Sequence, residues 1–193
     1  MSKVVLIAIH PEWCEAIAER RKRYDFRKTR PYIPTPFKAY IYMTKGMATY
    51  WTSGHIKCVN DGGMNVIGEF VCDRVETLVR AGFSGSREEP KYRACNLLDM
   101  STKPIDGILT DGCLSLPELE TYLAGAVGYA WHISELKIYD TPKKLEEFLK
   151  PCPYGDVSCF LCDKSGYTPE MKIDCCNNVT RPPQSWCYVE DVQ

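Results

Sequence analysis

The chain has 193 residues, of which 45% are hydrophobic and 25% charged, and a formal net charge of −1. This balance reads as a soluble globular chain, one domain with a real core or one domain plus a small appendage. The near-zero charge excludes a global basic footprint for nucleic acid, so a polyanion would have to be met by a local patch. No apolar stretch approaches transmembrane length, and the run Val4 to Ile9 is too short for a signal-peptide core. These features predict a cytoplasmic protein without a membrane partner. In a reducing compartment, eleven cysteines, an odd number, predict thiols rather than a disulfide framework.

In chain order, Val4 to Ile9 is a continuous apolar run and predicts a buried strand. His10 is placed to cap a helix that has Pro11 in its first turn and Trp13, Cys14, Ile17 and Ala18 on one face. Tyr24 to Arg27 alternates aromatic and charged residues, as a half-buried strand does, with Tyr24 and Phe26 inward and Asp25 and Arg27 outward. Three prolines between Thr29 and Pro36 predict a loop. Phe37 to Met43 is strongly β-prone. Residues 44–63 read as a loop or irregular hairpin carrying Tyr50 and Trp51. Val66 to Val75 predicts one strand, with Gly68 allowing a bend or bulge, and Ala81 to Pro90 predicts a loop. Ser115 and Glu118 fit a capping box that opens a helix to about Ala124. Tyr129 to Tyr139 predicts one long strand, Thr141-Pro142 the start of a short helix through Leu149, and Ser185 to Val189 a closing strand. His132 reads as a satisfied structural histidine, and His55 has no identifiable partner.

Between Arg20 and Lys28, six of nine residues are basic. Lys22, Asp25 and Arg27 stand close enough to form a compact polar site. Arg27 offers a planar fork for a phosphate or a nucleobase edge. Lys22 can hold a phosphate, or act as a base if burial lowers its pKa. Asp25 can accept a hydrogen bond from a base amino group or orient Lys22. The bland reading of the same residues is an exposed ion pair on a solvated strand face.

A short helix followed by this pattern resembles the ASCH family, a PUA-like β-barrel whose signature is Gly-x-Lys-x-x-Glu-x-Arg after the first helix. Lys22 and Arg27 match; Asp25 replaces Glu, and Arg20 replaces Gly. Residues 3–11, 37–43, 66–70, 129–140 and 181–189 resemble the phage and prophage branch, in the family's order, which implies a bacterial or phage-infected host cell. The resemblance implies an α+β fold, a PUA-like small β-barrel with flanking helices, and a cleft for RNA or a modified nucleoside. Lys22, Asp25, Arg27 and, with a lesser claim, His10 are then the ligand-binding residues. The rival reading is a hydrolase of the same family, an N4-acylcytidine amidohydrolase or a ribonuclease, and whether the chain is an enzyme stays open. In the amidohydrolase branch the signature lysine works with a threonine, where this chain has Asp25, and with a later glutamate. Lys22, Asp25 and Glu69 are therefore the catalytic candidates, with water activation in place of a hydroxyl nucleophile. A further alternative is a phage protein that contacts a host factor through an apolar surface around Tyr50 and Trp51.

Five of the eleven cysteines fall between residues 152 and 176. Cys159 and Cys162 form a C-x2-C pair, Cys175 or Cys176 can return from a loop, and Cys152 can supply a fourth thiolate. The segment is too poor in apolar residues to fold alone, and a structural zinc would supply the missing stabilisation. Cys14, Cys58, Cys72, Cys95, Cys113 and Cys187 show no metal spacing and read as structural. The expected organisation is a barrel domain over 1–150, a cysteine-rich insertion over 151–180 and a closing strand in 181–193.

Overall fold

A computed structural model describes residues 3–46, 48–52, 55–59, 63–80, 92–97, 99–151 and 177–192. Its elements are β1 (Lys3–Ile9), α1 (Pro11–Ala18), β2 (Tyr24–Arg27), β3 (Phe37–Met43), β4 (Ala48–Thr52), β5 (His55–Val59), β6 (Asn65–Cys72), β7 (Val75–Arg80), β8 (Tyr92–Cys95), β9 (Thr102–Lys103), α2 (Asp106–Asp111), α3 (Leu116–Leu123), β10 (Gly128–His132), β11 (Ser134–Lys144) and β12 (Trp186–Glu190). The class is α+β, as expected, with two five-stranded sheets and the β4–β5 hairpin. No helix among the described residues is long and apolar enough to cross a membrane.

The chain forms two compact units, each gathered from separate stretches. The first comprises Met1–Glu15, Lys38–Phe70 and Leu136–Gln193. Its sheet runs β11-β6-β3-β1-β12, with β1 parallel to β3 and antiparallel to β12. β1 sits between two neighbours, and its residues from Val4 to Ile9 are all buried, which is why it reads as an unbroken apolar run rather than an alternation. Val4, Leu6, Tyr40, Tyr42, Val66 and Phe148 pack together on one side of this sheet. Gly68 lets β6 run close to its neighbour, since a Cβ there would lie 2.5 Å from the backbone oxygen of Lys137.

The second unit comprises Ala16–Phe37 and Val71–Glu135, and its sheet runs β2-β10-β7-β8-β9. Its core joins Tyr24, Phe26, Leu78, Tyr92, Ala130, Ile108, Leu119 and Leu123, so the α2–α3 segment covers the face that carries Tyr24 and Phe26. Ser115 opens α3 through the expected capping box with Glu118.

Three expectations change. Val66 to Val75 is two strands, β6 and β7, parted at Asp73-Arg74, and Tyr129 to Tyr139 is likewise β10 and β11, parted at Ile133. In each pair the first-sheet strand and the second-sheet strand are consecutive in sequence. The helix expected from Thr141-Pro142 is absent: β11 continues to Lys144, and a single 3-10 turn, Leu145–Glu147, follows. A residue before proline is biased to extended backbone. β11 is the edge strand of its sheet, where a proline without an N–H is tolerated.

Candidate functional site

The site is assembled at the start of β2. Helix α1 gives way to it through Arg20, whose φ of 60° lies in the left-handed region that favours glycine. This is the position at which the resembled signature carries glycine. The backbone N–H groups of Arg21 and Lys22 both donate to the Ala16 carbonyl, at 2.9 Å each, which turns the chain into the strand. β2 then pairs antiparallel with β10, placing Tyr24 opposite His132, Asp25 opposite Trp131 and Arg27 opposite Tyr129.

All three signature side chains are buried: Lys22 is 4% exposed, Asp25 5% and Arg27 9%. Tyr24 and Phe26 enter the core as expected. The outward-facing placement of Asp25 and Arg27 is corrected, because their face of the strand is also covered. Trp131, beside Asp25 on β10, is fully buried and meets the Phe37 ring edge-on at 5.5 Å.

Within this interior the Arg27 Nε donates to Asp25 Oδ2 at 2.6 Å. Lys22 Nζ donates to the Gly112 carbonyl at 2.6 Å and lies 5.3 Å from the centre of the Phe26 ring. Burial pushes the Lys22 pKa below its ordinary 10.5; Asp25 and then Cys113 oppose the shift, and the Arg27 charge assists it. The arrangement joins an arginine–carboxylate pair to a lysine whose neutral form is favoured by its surroundings. It can present a cation to an anion, or an amine base to a proton.

Gly112, Cys113 and Tyr122 were not singled out as site residues from the sequence. They come from the end of α2, the turn after it and α3, some ninety to a hundred residues downstream of Lys22. The Asp111-Gly112 pair was the one local signal. A Cβ at Gly112 would overlap the Phe26 ring, so only glycine lets the carbonyl that receives Lys22 approach. The phenol of Tyr122 lies near the charges of Arg27 and Asp25, and burial raises its pKa.

The other candidates are carried by other elements. Glu69 belongs to the first unit, on β6, where its Oε2 accepts a hydrogen bond from Tyr139 at 2.5 Å and stands 3.2 Å from Lys38 Nζ. Burial pushes its carboxyl up, but the bonds from Tyr139 and Lys38 outweigh this and hold it below the usual range. His10 is exposed, and it caps α1 through its carbonyl, which accepts from Trp13 and Cys14 at 3.0 and 2.9 Å. His132 bonds Asp73 at 2.6 Å and packs on Tyr24, in keeping with a satisfied structural histidine. Cys14, Cys72 and Cys95 are buried thiols, whereas Cys113 and Cys187 are partly buried. Cys152, Cys159, Cys162, Cys175 and Cys176 lie outside the described residues, as do the side chains of Tyr50 and Trp51. Among the described residues no group of three or more His, Cys, Asp or Glu side chains is placed to hold a metal ion.

No family model matches the chain, and no curated protein does. A solved structure, that of ASCH from Zymomonas mobilis, is similar with a TM-score of 0.52 at 14% identity, over 97% of this chain and 88% of that one. A serine-to-alanine variant of the same protein gives 0.50 at 14% identity, over 97% and 89%. The likeness is one of fold: the chain shares the α+β architecture of that ASCH protein.

Proposed function

We propose that the protein binds RNA or a modified nucleoside through Lys22, Asp25 and Arg27. The observation that carries this reading is the burial of three charged side chains within six residues of sequence, where the alternation pattern called for a solvated face. Buried charges cost several kcal/mol each in lost hydration, on the order of what their mutual attraction returns. Stability is therefore a poor reason to keep them, and recognition of a polar ligand is a good one. Around them Arg20, Arg21, Arg23 and Lys28 are exposed, which gives a locally basic rim to a chain of net charge −1. On this reading Arg27 addresses a phosphate or base edge, Asp25 holds that guanidinium and discriminates a base amino group, and Lys22 supplies the second cation.

One observation favours the rival reading, a hydrolase acting on N4-acylcytidine or on RNA. The lowered pKa of Lys22 enlarges the fraction of neutral amine, the form that can draw a proton from water. Titration of the purified protein with short RNA, single-stranded DNA and modified cytidines, with product analysis of the same mixtures, separates the two. Saturable, salt-sensitive RNA binding without turnover supports the binding module. Release of acetate or strand cleavage, lost in Lys22→Ala, makes the protein an enzyme. If Lys22→Ala and Arg27→Ala both leave affinity and activity unchanged, the site is misplaced.

The cysteine-rich segment carries a separate proposal, a structural zinc on Cys152, Cys159, Cys162 and either Cys175 or Cys176. Metal analysis of protein purified under reducing conditions is expected to give about one zinc per chain, the stoichiometry of a four-ligand site; absence of zinc dismisses it.

A further inference from the structure

Helix α3 buries Leu119 and Leu123 in the core of the second unit, yet Tyr122, between them in sequence, remains 40% exposed. It is not a loose surface side chain. Its phenol lies near the charges of Arg27 and Asp25 and the backbone of Lys28. The Lys28 Nζ stands 5.2 Å from the centre of its ring. Tyr122 thus stands at the C-terminal end of β2, partly open to solvent, with a cation over its ring.

We infer that Tyr122 is a stacking platform beside the Lys22–Asp25–Arg27 cluster, and that the ligand is a single-stranded RNA covering more than one nucleotide rather than a free nucleoside. This rests on the RNA-binding reading above and extends it. Arg27 and Asp25 are themselves almost inaccessible, so a ligand that reaches them passes exposed groups, and Tyr122 is the exposed aromatic next to them. A ring carried on a helix anchored by buried Leu119 and Leu123 loses little freedom when a base stacks on it. Aromatic platforms accept any base through its π-face, and a neighbouring cation takes the adjoining phosphate. When a base covers the ring, Lys28 turns from the ring face to that phosphate. A lone nucleoside engages the buried cluster or the platform; a strand engages both.

The test uses the full chain and a single-stranded RNA of about eight nucleotides, within the range of single-stranded binding sites, carrying a 2-aminopurine. Wild type, Tyr122→Ala and Tyr122→Phe are compared by anisotropy and by 2-aminopurine fluorescence. The expected result is quenching of the 2-aminopurine by wild type and Tyr122→Phe, and an affinity loss on the order of tenfold with loss of quenching in Tyr122→Ala. RNA binding by wild type without quenching overturns the inference. So does Tyr122→Ala affinity equal to wild type, or an equal loss in Tyr122→Phe, which would assign the effect to the hydroxyl. Quenching by wild type and Tyr122→Phe decides the matter even if the alanine variant folds poorly. Failure of wild type to bind RNA removes the RNA-binding reading first, and the platform with it.

Discussion

Replacing Asp25 by alanine leaves the Arg27 guanidinium buried without the carboxylate that now meets it at 2.6 Å. Arginine does not shed its proton, so a guanidinium that has lost this carboxylate cannot be neutralised in place. The Arg27 side chain is 11% exposed and that of Asp25 7%, so solvent screening is slight. Removing one partner of such a pair costs about 3–5 kcal/mol. For a chain of this length each kcal/mol moves the melting temperature by about 2–4 °C, so Asp25→Ala should lower it by about 6–20 °C. Asp25→Ala/Arg27→Met removes both charges and should recover most of the loss, because an apolar side chain of similar length needs no counter-charge. Scanning calorimetry of wild type, single and double variants reads all three values. A drop below about 3 °C in Asp25→Ala, the behaviour of an exposed ion pair, would refute the buried-cluster account. A double variant no more stable than the single would refute it as well.

Two further outcomes follow from backbone geometry. Gly112→Ala places a methyl group against the Phe26 ring at a φ of −95°, where alanine itself is unstrained, so the cost is steric, about 1–3 kcal/mol, and is read as a lowered melting temperature. The same variant moves the carbonyl that holds Lys22 and should weaken ligand binding. Arg20→Gly relieves a left-handed residue and should stabilise the fold by about 1 kcal/mol, measured by the same melts, while it removes one cation of the basic rim. A destabilised Arg20→Gly would mean that the Arg20 side chain is worth more than the relief of its backbone.

Much of the framework is written locally. β1, β2, β3, α3 and β12 lie within a residue or two of where apolar runs, alternation and the Ser115 capping box place them. The continuous readings at Val66–Val75 and Tyr129–Tyr139 missed breaks because β-prone residues flank Asp73-Arg74 on both sides and Ile133 is itself β-prone, whereas the sheet each half joins is decided by distant partners. The short α2, Asp106–Asp111, has no periodic signal to detect. At the candidate site, residue identities were legible and burial was not. Alternation along four residues assigns two faces, but it cannot reveal that Asp25 and Arg27 are buried along with Tyr24 and Phe26, or that a glycine carbonyl ninety residues away receives Lys22. A local pattern overridden at three charged positions is where function is expected to concentrate.

The two readings of the site make opposite demands on one proton. The Asp25–Arg27 pair is internally neutral, so Lys22 is the excess cation of the buried cluster. Burial favours its neutral form and holds its pKa below 10.5, whereas the unfolded chain ionises at the ordinary value. In the native protein Lys22 therefore binds fewer protons than in the unfolded chain between the lowered value and 10.5. A phosphate arriving beside it raises its pKa again, so binding RNA at a pH between the free and bound values must take up protons, to a limit of about one for a single group. A neutral acylated cytidine brings no such charge and should drive no uptake. Calorimetric titration in buffers of different ionisation enthalpy counts these protons, and Lys22→Met should abolish the count. Uptake that survives in Lys22→Met, or that is equal for the neutral nucleoside, would show that Lys22 is not the linked group. The pH trend then separates the functions. A binding site that needs the ammonium loses affinity as pH climbs through the lysine's pKa, whereas a hydrolase that needs the amine gains kcat/KM over the same interval.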